Sequence, residues 1–270
     1  MQIFDTHAHL QDPAFDDVTA VLERAEQAGV AGIAVCGYDP ASNLQALEFA
    51  SQSSLLFPTV GFHPHEAKDI TPAMLAELES LAALPEVVGV GEIGLDFFRD
   101  HSPRDTQRRV LEAQLEIALR VGKPVSVHSR GAEEAALEPL SVYARAASWS
   151  AGGRPVGVMH CFGGTLEQAQ RYVAIGFLVS LACAVTYPRN DDTRSIAARL
   201  PLTVLVVETD SPYLPPQALR GKRNEPANVL SVIHSLASAR GISSDAAADA
   251  TTQNATRLFG VKLATGVAAS

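Results

Sequence analysis

Short Val-, Leu- and Ile-rich runs recur along the chain at residues 2–7, 30–36, 55–61, 87–92, 124–128, 156–160, 176–180 and 203–209. Between them lie longer stretches whose apolar residues return every three or four positions, at 18–28, 43–52, 72–83, 103–121, 133–147, 166–175 and 192–200. The first rhythm is that of buried strands and the second that of amphipathic helices. Pro72 and Pro103 suit first-turn positions, and Thr71 and Ser102 suit the caps before them. Strand and helix in repeated alternation predict a parallel sheet of the α/β class. About eight units predict closure into a TIM (β/α)8-type barrel. An open, doubly wound sheet is disfavoured because no GxGxxG follows the first strand.

A chain of 270 residues suits one large domain of this kind, and no proline- or glycine-rich linker interrupts it. The expected domain covers 1–262, with a flexible tail over 263–270. Charged residues make up 19% and hydrophobic ones 47%, without charge blocks, which excludes a disordered chain. No run approaches the roughly 18 uncharged apolar residues that span a bilayer. The first residues pass straight into Ile3-Phe4-Asp5 without a basic leader. Three cysteines, Cys36, Cys161 and Cys183, are odd in number and form no CxxC, as expected in a reducing compartment. These features read as a cytoplasmic protein, and the chain is expected to be a monomer, although no feature of the sequence sets its oligomeric state. A net charge of −9 argues against broad electrostatic wrapping of nucleic acid. Any phosphate-rich substrate must be held locally.

The chemistry gathers at strand ends. Residues two apart on a strand face one side about 6.6 Å apart, so His7 and His9 can grip one ion, with Asp5 expected to point the same way. Asp5 itself lies one step deeper and reads as a partner that orients the imidazoles. Val88, Val90 and Glu92 form another alternating face ending in a carboxylate. Pro124, Ser126 and His128 end in imidazole, as do Val156, Val158 and His160. Val204, Val206 and Glu208 lead to Asp210. In a barrel these ends converge on one mouth. Six ligands, His7, His9, Glu92, His128, His160 and Asp210, exceed one tetrahedral ion and imply two divalent ions sharing a water. No lysine ends a predicted strand, so Glu92 is the bridge.

With these residues in view the chain resembles the TatD family of metal-dependent deoxyribonucleases, in the amidohydrolase superfamily. The resemblance rests on FDTHAHL at the start, GFHPH at 61–65, GEIGLDFFRD at 91–100, PVSVHSR at 124–130, GVMHCF at 157–162, ETDSPYLPP at 208–216 and RGKRNEP at 220–226. It covers nearly the whole chain. It implies a TIM barrel with one or two divalent ions and hydrolysis of DNA phosphodiesters as a 3′ to 5′ exonuclease, and it carries over the same six ligands. Zn, Mn, Co and, less readily, Mg suit mixed His and carboxylate donors.

Asp210 is the expected general base, with Glu92 beside it in the chemistry and Glu208 as a supporting carboxylate. His63 is expected at the substrate, ahead of His65. Arg220, Lys222, Arg223 and Asn224, in the loop after the last strand, read as phosphate contacts. Arg130 shares the parity of His128 and reads as a substrate contact as well. Arg99, Arg104, Arg108 and Arg109 extend a basic rim, and Phe97 and Phe98 are candidates for base stacking. DNA, single-stranded or at 3′ ends, is the expected substrate. Two other readings compete: a D-aminoacyl-tRNA deacylase or other ester or amide hydrolase on the same site, and a non-catalytic metal-binding module.

Overall fold

The computed structural model describes residues 1–264. Eight strands, β1 (Ile3–Ala8), β2 (Val30–Cys36), β3 (Leu56–Val60), β4 (Gly89–Asp96), β5 (Val125–Arg130), β6 (Gly157–Met159), β7 (Phe177–Leu181) and β8 (Leu205–Val207), pair in parallel in sequence order. The ring closes between the last strand and the first. The Asp210 amide donates to the His7 carbonyl at 2.9 Å, and the His9 amide donates to the Ser211 carbonyl at 2.7 Å.

Seven helices follow the strand order as expected: α1 (Val18–Gln27), α2 (Pro40–Gln52), α3 (Pro72–Ala82), α4 (Arg104–Val121), α5 (Glu133–Ala146), α6 (Leu166–Ala174) and α7 (Asp191–Arg199). Helix α2 starts three residues earlier than its apolar rhythm predicts, because Asp39 and Ser42 form a reciprocal cap around Pro40. Ser102 does not cap α4. Its hydroxyl donates to the His65 carbonyl at 2.7 Å and accepts from the Lys68 amide at 3.1 Å, tying the loop after β3 to the loop after β4. Two further helices, α8 (Val229–Arg240) and α9 (Ser244–Phe259), complete the ring. They follow no further strand, so alternation carried no sign of them.

Two apolar layers organise the barrel. The larger lies between strands and helices and includes Ile3, Ala8, Ile33, Val90, Val127, Val179 and Val207. The smaller fills the barrel interior with Phe4, Ala34, Cys36, Val158, Leu178 and Val206, and Ala255, Leu258 and Phe259 of α9 pack against it. Burial of this kind contributes about 25 cal/mol per Å² of apolar surface removed from water. Leu263 joins the smaller layer, which places it with the domain rather than with the expected tail. Residues 265–270 of that tail lie outside the described residues. Among the described residues no helix is long and apolar enough to cross a membrane.

Candidate active site

Polar side chains replace the inner apolar layer at the C-terminal ends of the strands, but not by simple alternation. On β1, Ile3 faces the helices and Phe4 the interior, so Asp5 shares the helix-facing side. A register irregularity between Asp5 and Ala8 then turns the strand, and His7 and His9 both reach the centre. Asp5 therefore points away from the imidazoles. Its carboxylate accepts from the Thr209 amide at 2.9 Å and the Thr209 hydroxyl at 2.6 Å, stitching β1 to the segment that carries Asp210. The expectation that Asp5 orients the histidine rings is corrected. Strand β4 has a second irregularity, between Val90 and Ile93. Val90 packs toward the helices while Glu92 faces inward, so the expected Val88–Val90–Glu92 face does not exist.

Glu92 lies at the middle of the cluster. Its Oε2 is 3.4 Å from His7 Nε2 and 3.5 Å from His9 Nε2. Its Oε1 is 2.9 Å from His128 Nδ1, 3.1 Å from His160 Nε2 and 3.5 Å from His63 Nε2. Asp210 Oδ1 lies 3.6 Å from His9 Nε2. The structure thus brings all six expected ligands together, with donor atoms of His7, His9 and Glu92, and of His7, His160 and Asp210, close enough to share an ion.

Hydrogen bonds behind the rings decide which nitrogen is free. His9 Nδ1 donates to the Cys36 carbonyl at 2.9 Å, and His160 Nδ1 donates to Glu208 at 3.0 Å. His128 Nε2 donates to Asp96 at 3.3 Å. In each the other nitrogen faces Glu92, the position from which it would hold an ion once deprotonated. Glu208 also accepts from the Cys161 amide at 2.6 Å. His63 is reversed: its Nδ1 accepts from the His65 amide at 3.2 Å, which leaves Nε2 as the protonated nitrogen, a donor toward the centre.

Electrostatics follow from this packing. Burial pushes His7 down to about 4, aided by neighbouring His160, so its ring is neutral. Burial works against a charged His160, but Glu208 and Glu92 outweigh it and hold the ring well above the usual histidine range. Burial likewise opposes the Glu92 carboxylate, yet His63, His160 and His128 keep it well below its ordinary value. Burial raises the Asp210 carboxyl to about 6.

Alternation alone would have found one neglected residue. Asp96 shares the inward side of Glu92 on β4, but the expected strand stops at 92. Its Oδ2 meets both His128 and, at 2.9 Å, His65. Gly94 makes this possible: at φ 149° a Cβ would collide with the His128 carbonyl, so only glycine lets β4 run beside β5 here.

The centre opens into a cavity of about 870 Å³ whose walls include Tyr38, His63, His65, Asp96, Arg99, Arg130, Cys161 and Tyr213. Arg130 and His63, both expected at the substrate, line this cavity. The basic loop after β8 splits up. Lys222 is exposed, and Arg220 leans over the Tyr187 ring beside a separate cavity of about 440 Å³. Arg223 is taken out of the phosphate set: it pairs with Asp17 at 2.8 Å, donates to the Ala14 carbonyl at 2.9 Å and covers the Phe15 ring. Arg108 points outward to Glu112 and Glu138.

Asn224 is also removed, being fully buried. Its amide donates to the Thr209 and Tyr213 carbonyls at 2.9 and 2.7 Å, and its oxygen accepts from the Glu225 amide and Asn228 Nδ2, both at 2.9 Å. It fastens the loop that follows Asp210. Asn224→Ala strands these partners in a buried place and is expected to cost about 3 kcal/mol of stability. The exposed Lys222→Ala should stay within roughly 0.5 kcal/mol. Denaturant unfolding of both variants checks this; an Asn224→Ala as stable as Lys222→Ala would show that the amide does not hold the loop.

A family model described as TatD related DNase matches residues 4–260 of this barrel. The chain belongs to that family. It is 35% identical to the 3'-5' ssDNA/RNA exonuclease TatD of Escherichia coli over 268 residues, covering 96% of this chain and 99% of that one. It is 35% identical to the metal-dependent hydrolase YabD of Bacillus subtilis over 258 residues, covering 95% of this chain and 98% of that one. The crystal structure of YjjV, a TatD homologue from Escherichia coli, superposes with a TM-score of 0.89 at 34% identity, covering 96% of this chain and 98% of that one. The present chain is thus a TatD-family metal-dependent hydrolase with a TIM barrel.

Proposed function

We propose that this TatD-family chain is a 3′ to 5′ exonuclease that hydrolyses DNA phosphodiesters, at single-stranded or 3′ ends, with two divalent cations. One observation carries the reading: the two oxygens of Glu92 face different nitrogen sets, His7 and His9 on one side and His128 and His160 on the other. A buried carboxylate so divided would hold two neighbouring cations and offset their repulsion. Asp210 completes the first set. The inward-facing nitrogens, which an ion would bind with loss of their protons, fit ion binding, as does the mixture of imidazole and carboxylate donors, which accepts Zn, Mn, Co and, less readily, Mg.

Bound there, the ions would acidify water and neutralise charge on phosphoryl oxygens. Asp210, at the edge of the cavity, receives the proton of the attacking water on its carboxylate. His63, with Nε2 as its protonated nitrogen, donates a hydrogen bond to a phosphoryl oxygen or to the departing sugar oxygen, which takes up the proton that Asp210 accepted. Arg130 and Arg99 line the cavity and pair with phosphates of the strand. Glu208 and Asp96 fix the rings of His160 and His128. Asp5 holds Asp210 in place through Thr209.

The 3'-5' ssDNA/RNA exonuclease name of the Escherichia coli TatD relative favours phosphodiesters over the competing esters and amides. The test supplies the purified chain with Mg, Mn, Zn or Co and offers 3′-labelled single-stranded DNA, a D-aminoacyl-tRNA and a generic ester. Stepwise release of label from the 3′ end is expected. Cleavage of the aminoacyl or generic ester with the DNA left intact would reassign the substrate.

A further inference from the structure

The loop after β4 presents Phe98 with 67% of its surface exposed, an unfavourable place for so large an apolar ring. The backbone beneath it is also held. Asp96 Oδ1 accepts from the Phe98 amide at 2.9 Å and the Arg99 amide at 2.8 Å. The Phe97 amide donates to the Arg130 carbonyl at 2.9 Å, and Arg104 covers the Phe97 ring at 4.5 Å. The Arg130 guanidinium lies 4.1 Å from the centre of the Phe98 ring, while Arg130 itself lines the cavity around Glu92. An exposed aromatic face on a fixed backbone, backed by a cation that lines the cavity, is a stacking platform.

We infer that Phe98, backed by Arg130, stacks the base of a nucleotide near the 3′ end. This rests on the exonuclease reading above and adds a base contact to it. Every base has a π-face, so the platform tolerates sequence. Arg130 meanwhile faces the adjoining phosphate, which keeps stacking in register with cleavage.

The test compares wild type, Phe98→Ala and Phe98→Tyr on two kinds of 3′-labelled single strand, one intact and one abasic at its last three positions. Wild type should prefer the intact strand by roughly 5- to 100-fold in kcat/KM. In Phe98→Ala that preference should fall toward one, through KM rather than kcat, and Phe98→Tyr should restore it. A merely structural role would depress both strands equally and leave the preference intact, which overturns the inference. Equilibrium quenching of a strand carrying 2-aminopurine near its 3′ end reads stacking without turnover. Quenching by wild type and not by Phe98→Ala supports the platform even if no strand is cleaved, an outcome that would sink the exonuclease reading alone. Equal quenching by both proteins removes the platform.

Discussion

Glu92→Gln is expected to lower phosphodiester turnover by about 10³-fold or more and to strip most bound metal. Losing a group that only orients a ligand already costs roughly 10- to 100-fold in metal affinity or activity. Glu92 does more, since its two oxygens face both nitrogen sets, at 3.4 Å from His7 on one side and 2.9 Å from His128 on the other. Glutamine keeps the shape and removes the charge. Its amide NH2 group also has no lone pair to offer a cation, so one side of the site loses a ligand. Elemental analysis of the purified variant, with label release from 3′-labelled DNA, gives the answer. Two retained ions with near-normal turnover would show that the bridge is elsewhere.

Asp210→Asn is expected to lower kcat by roughly 10²- to 10⁴-fold, the usual span for a lost general base, while KM moves only a few-fold at saturating metal. The substitution is clean in the backbone. Asp210 sits at φ 56°, in the left-handed region, where asparagine is one of the few residues at ease. Its amide bond to the His7 carbonyl, which closes the barrel, is kept. Single-turnover kinetics with metal-saturated protein separates the chemical step from binding. Near-wild-type kcat with the ions still bound would contradict the assignment of Asp210.

The barrel was legible because its signal is periodic: eight apolar runs and the helices between them needed only rhythm and spacing. Helices α8 and α9 were not, because no strand follows them to continue the beat. The six site residues on strand ends were legible by alternation where strands are regular, as on β5, where Ser126 and His128 face inward together. Alternation erred where the register slips. The irregularity after Asp5 sends that carboxylate to Thr209, and the one after Val90 brings Glu92 inward from the wrong side. It stopped short at Asp96 because β4 runs four residues beyond its apolar stretch. The charges of the loop after β8 were the least legible. Arg223 and Asn224 are typical phosphate ligands by type, but their places depend on Asp17 and on the carbonyls of residues 209 and 213, which no local pattern reveals.

The central claim is that one carboxylate, Glu92, divides its oxygens between two cations beside Asp210. Metal titration of the stripped protein tests it most directly, counting bound ions per chain while following release of label from the 3′ end of single-stranded DNA. The account predicts two ions per chain, with release appearing only as the second site fills. Full activity at one ion per chain, or two ions bound equally well by Glu92→Gln, would contradict it.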